Sequence, residues 1–107
     1  AKDIFFNVDA RDKLKRGELM KKLVQLQYER TNLDLKRGSF RVRGDNWEIM
    51  PPFEEVVYNF ILKNEVIEKI YLINPVNGFN NDTPLAGEVV IAPAKHLSLW
   101  VKKKRGH

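Results

Sequence analysis

Arg41 and Arg43 are the residues of this chain best suited to gripping an acidic group. They stand one residue apart in the stretch SFRVRGDNWEIM, residues 39–50, between apolar neighbours. On an extended strand their side chains leave the same face, roughly 7 Å apart. Each guanidinium at that spacing can take a carboxylate bidentately. The residues themselves leave two readings open. Either the pair holds an acidic partner, or Arg41 pairs across the hairpin with Glu48 and Arg43 is merely solvated.

Other chemistry is sparse. The chain has no GxxxxGK[ST] and no GxGxxG to cradle a phosphate. It has no cysteine, so neither a disulfide framework nor a thiolate metal site is available. His96 and His107 are its two histidines, and a lone imidazole with scattered carboxylates does not make a metal set. Ser39 and Ser98 have no base near them in the sequence, while Glu54-Glu55 and Asn81-Asp82 read as loop polarity. The expectation is a non-enzyme with no cofactor and no metal.

The elements that must position the arginines follow from periodicity. With Gly44-Asp45 at the tip of a two-residue turn, glycine first, a type II′ hairpin forms. The pairs are then Arg43 with Asn46, Val42 with Trp47, Arg41 with Glu48 and Phe40 with Ile49. Phe40, Val42, Trp47 and Ile49 share one face and every polar residue takes the other, and a one-residue slip would destroy that sorting. Residues 17–30 predict the main helix, with Leu19, Leu23 and Leu26 on one stripe and Met20 and Tyr28 beside it. Residues 3–8 and 87–94 predict strands. Residues 9–16 read as a turn or short helix with Asp9 as its cap. Residues 31–38 and 74–87 are loops, and residues 95–101 a strand or short helix. A second hairpin spans residues 56–73 and turns at Asn64-Glu65, with Leu62 opposite Ile67 and Ile61 opposite Glu68. Either both its faces are partly covered or Ile61 sits at an exposed edge. The expected fold is α+β: one domain with a mainly antiparallel sheet of hairpins packed with one main helix.

The 107 residues suit a single domain with a modest core. The net charge of +5 invites a nucleic-acid reading, but KKKR at 102–105 carries four of those charges and leaves the rest close to neutral. The expected division is an interaction module over 1–101 and a basic C-terminal tail over 102–107. No apolar run is long enough to span a bilayer, and AKDIFF lacks the core of a secretion signal. A cytoplasmic location without membrane contact is expected.

The run LVQLQYERTNLDLKRGSFRVRGDNWEIMPP, residues 23–52, closely resembles the second domain of UvrB, the damage-recognition helicase subunit of bacterial nucleotide excision repair. The likeness extends upstream through KRGELMKK (15–22) and downstream through KNEVIEKIYLINPVNG (63–78) to VVIAPAKHL (89–97). A homologous module in the transcription-repair coupling factor is the second match. The resemblance implies a module that docks onto UvrA, with the helicase motors and the DNA-gripping hairpin elsewhere. It carries the family's docking arginines onto Arg30, Arg41 and Arg43, and implies an acidic partner surface. The family's next strand adds an arginine and a glutamate, which align with Asn59 and Ile61 here, so both charges are missing. Trp47 is a further departure and reads as a packing change, while Phe53 is a possible added contact. The alternatives are a basic nucleic-acid-binding module using the tail with Lys13, Lys15, Arg16, Lys21 and Lys22, or an engineered or excised domain that keeps the fold without the interface. Direct nucleic-acid binding is expected to be weak, because Phe40 and Trp47 are committed to the core and cannot stack on bases.

Overall fold

The computed structural model describes residues 5–76 and 83–95. The expectations for residues 96–101, the KKKR tail, both histidines and Asn81-Asp82 lie outside those residues.

The first strand, β1 (Phe6–Asp9), runs into a single 3-10 turn over Ala10–Asp12. Asp9 caps that turn as its side chain predicts: Oδ1 accepts from the Arg11 N–H at 2.9 Å. The Arg11 guanidinium closes back on the same carboxylate and holds its pKa down at about 2. The main helix α1 (Arg16–Gln25) starts with the Glu18 carboxylate accepting from the Lys15 N–H at 3.1 Å.

The helix stops well short of residue 30. Gln27 adopts φ 66°, its N–H bonds Val24 O, and the Tyr28 N–H bonds Leu23 O. This double closure is a Schellman motif with a glutamine in the left-handed position. It reverses the chain so that Glu29–Arg30 become a short strand, β2. Tyr28 therefore leaves the helical stripe but stays buried, and its hydroxyl donates to Ala92 O at 2.6 Å.

The first hairpin has the register its sequence dictates. β3 (Ser39–Arg43) pairs with β4 (Asn46–Met50) through all four predicted partners. Gly44 has φ 63° and Asp45 is not in the left-handed region, as a type II′ turn requires. The second hairpin, β5 (Val57–Lys63) and β6 (Val66–Ile73), turns at Asn64-Glu65, where both residues have positive φ.

One pairing there differs from expectation. Leu62 does face Ile67, but a bulge follows, and Ile61 pairs with Lys69 instead of Glu68. The bulge puts Ile70 opposite Phe60, where both are buried; unbroken alternation would have placed Lys69 there. Ile61 is half-buried and lies on an interior strand, so it is not at a sheet edge.

β2 to β6 form one five-stranded sheet in sequence order, with only the β2–β3 pair parallel. The last described strand, β7 (Glu88–Ile91), pairs antiparallel with β1 in a separate two-stranded sheet. Leu19 and Leu23 of α1 and Leu26 at its C-cap meet Phe40, Trp47, Ile49, Phe60, Ile67 and Ile70 of the large sheet and Val8 and Ile91 of the small one in one core. The molecule is α+β, with one face of the five-stranded sheet turned into this core.

Candidate functional site

The other face of that sheet collects most of the candidate residues. Partners in an antiparallel ladder share a face, so the registers define rows across the strands. One row runs Arg41, Glu48, Asn59, Tyr71. The next runs Arg43, Asn46, Ile61, Lys69. The intervening row of Val42, Trp47, Phe60 and Ile70 points inward, and Trp47 and Phe60 are fully buried.

Arg41 and Arg43 behave differently. Arg41 is largely covered: its side chain is 15% exposed. Nε and Nη2 lie 2.9 Å from Glu48 Oε1, and Nη1 donates to Leu33 O at 2.8 Å. For Arg41 the geometry is that of the cross-hairpin reading: Glu48 holds it in place on the outer face. Arg43 is exposed and makes no side-chain hydrogen bond or ion pair among the described residues.

Asn59 donates to Asn46 Oδ1 at 2.7 Å and to Trp47 O at 3.2 Å, so its amide ties β4 to β5 beside the arginines. Arg30 stands apart. It lies on β2 at the far edge, exposed, and its register partner is Phe40, so it belongs to neither row. The structure thus brings Arg41, Arg43, Asn59 and Ile61 together and leaves Arg30 to one side. Phe53 lines a small hollow with Pro51, Glu54, Val90 and Ala92, away from both rows.

Sequence reasoning placed Arg16, the first residue of α1, only among the cations of a nucleic-acid module and missed its hold on the hairpin turns. Its guanidinium lies over the Trp47 ring, 5.6 Å from the centroid. Nη2 reaches Asp45 Oδ1 at 2.6 Å, both Nη atoms contact Gly44 O at 3.3 Å, and Nε meets Glu65 Oε1 at 3.1 Å. One side chain therefore holds the tips of both hairpins, at the turn that follows Arg43. Its partners are 28, 29 and 49 residues away, so only a fold could reveal them. Trp47 stacks on Phe40 with centroids 6.2 Å apart, and its buried Nε1 has no hydrogen-bond partner among the described residues.

No group of three or more histidine, cysteine, aspartate or glutamate residues among those described is placed to hold a metal ion. A groove of about 480 Å³ between β1 and α1 is lined by Phe5, Phe6, Leu14, Glu18, Lys21 and Lys22 among others. Among the described residues no helix is long and apolar enough to cross a membrane.

Comparison with known proteins gives this face a context. The UvrB interaction domain family matches residues 6–97. UvrABC system protein B of Dehalococcoides mccartyi (strain CBDB1) is 43% identical over 91 residues, covering 83% of this chain and 13% of that protein. Its counterpart in Rhodopirellula baltica is 40% identical over 86 residues, covering 80% of this chain and 12% of the relative. That of Methanococcus maripaludis is 34% identical over 104 residues, covering 97% and 16%. The chain spans about an eighth of the length of the first two relatives. With its hairpins, outer arginine face and clamped turns so arranged, this chain belongs to the UvrB interaction domain family.

Proposed function

We propose that the chain is a non-catalytic docking module that binds UvrA in the cytoplasm, without a cofactor, through the outer face of its five-stranded sheet. Arg43 makes the principal contact and Arg41 stands braced beside it. Arg30 is an outlying cation, and Asn59 and Ile61 form the uncharged floor between. The observation that carries this reading is the contrast at the hairpin: an Arg43 that is exposed and unpaired among the described residues, on a turn held by Arg16, next to an Arg41 already oriented by Glu48. An acidic partner surface would meet preset guanidinium groups with little ordering left to do, and electrostatic attraction would speed the encounter.

A nucleic-acid module is the second reading, from the basic balance of the sequence. Against it, Arg16 is occupied by Asp45 and Glu65, and Phe40 and Trp47 are buried, so none of the three is free for phosphate or base. Calorimetric titration with UvrA separates the two. Saturable binding that Arg43→Glu abolishes, and that removal of residues 102–107 leaves intact, supports docking. Binding to DNA that disappears with the tail, without binding to UvrA, overturns it.

A further inference from the structure

The β5–β6 bulge decides which charge stands beside Ile61. Regular pairing from the Asn64-Glu65 turn would put Glu68 there. With the bulge, Glu68 has no ladder partner and Lys69 takes the position across from Ile61. Bulges commonly re-aim side chains in this way. Because its cross-strand neighbour is isoleucine, Lys69 has no carboxylate opposite to neutralise it. It is exposed and makes no side-chain hydrogen bond or ion pair among the described residues. Arg43 ends the same row at its other side, also exposed and unpaired among the described residues. Between them lie Asn46 and the half-buried Ile61.

We infer that the row Arg43, Asn46, Ile61, Lys69 is a two-cation docking strip for a protein surface that presents two acidic groups on either side of an apolar contact. Three strand-to-strand steps separate the cations, so the acidic groups sit roughly 14 Å apart. The apolar contact covers Ile61, the one large aliphatic side chain of the strip. Charge complementarity argues for an acidic occupant, and the aliphatic centre argues for a protein over a polyanion, which would leave Ile61 without a counterpart. This inference rests on the docking reading and adds to it a second cation, a spacing and an apolar centre.

The test is titration of the 107-residue chain and its variants with the cognate UvrA, with a thermal melt of each variant to confirm folding. Lys69→Glu is expected to weaken binding by roughly tenfold or more, and Lys69→Arg to stay within about threefold of the parent. Glu68→Lys, one residue away in the bulge and outside the strip, is expected to bind like the parent. Ile61→Asp would place a carboxylate opposite Lys69 and is expected to weaken binding as much as Lys69→Glu. If Arg43→Glu abolishes binding while Lys69→Glu and Ile61→Asp bind like the parent, the strip is wrong and the docking reading stands. If Lys69→Arg loses as much as Lys69→Glu, charge at this position is not what the partner reads, and the inference fails. If none of the folded variants loses affinity, both the strip and the docking reading fall.

Discussion

Arg41 and Arg43 are alike in the sequence and unlike in their surroundings. Removing Arg41 would leave the half-buried Glu48 carboxylate and Leu33 O without their donor. Arg41→Ala is expected to destabilise the fold by about 1–3 kcal/mol, whereas Arg43→Ala should stay within about 0.5 kcal/mol. Paired urea titrations would check this. Equal losses would mean that the Glu48 pair contributes nothing. Arg16 belongs with Arg41: stripping its side chain loses the stacking on Trp47 and its hold on Gly44, Asp45 and Glu65. Arg16→Ala is expected to cost about 1–2 kcal/mol and to speed amide exchange at Gly44 and Asp45. Unchanged exchange there would remove the clamp from the account of Arg43.

At the scale of elements, the end of α1 offers a clean test. Gln27 occupies a backbone region that favours glycine. Gln27→Gly should therefore raise stability by about 0.5–1 kcal/mol, read from the urea midpoint. A drop would mean that the glutamine side chain makes a compensating contact. This helix end was hidden in the sequence because Tyr28 extends the apolar stripe and no glycine marks the stop. The first hairpin was legible to the residue, because strict alternation on both arms and one glycine permit a single register. The second was legible only as far as its turn. Glu68 and Lys69 are both polar, so the pattern gave no sign of where the bulge falls. The outer-face position of Asn59 and Ile61 follows from register alone, while the Arg16 clamp and the pairing of β1 with β7 join residues too distant for any local pattern.

For the whole molecule, buried Tyr28 and half-buried Tyr58 set an alkaline limit. Burial, with the Glu54 carboxylate nearby, pushes the Tyr58 hydroxyl up to about 12 and the Tyr28 hydroxyl higher still. The unfolded chain loses these protons at the ordinary value of 10.0 while the folded chain keeps them. The unfolded state then binds fewer protons, so stability falls as pH rises above that value, for Tyr58 through a window reaching about 12. Denaturant midpoints at about pH 9 and about pH 11 should show the fall, and Tyr28→Phe should flatten it. The same variant should cost about 1 kcal/mol near neutral pH, because Ala92 O loses its donor. A midpoint indifferent to pH across that range would show that neither hydroxyl is as enclosed as its packing implies.

Phe6 lies opposite Ile91, so the first and last described strands run side by side, about one strand spacing apart. An insertion bounded at Phe6 and Ile91 would occupy no more room at its attachment than a hairpin loop does. It could be spliced into a surface turn of another protein without prying that turn open. The outer arginine face lies on the five-stranded sheet, which is separate from this ladder. Portability of this kind comes from one ladder of four residue pairs.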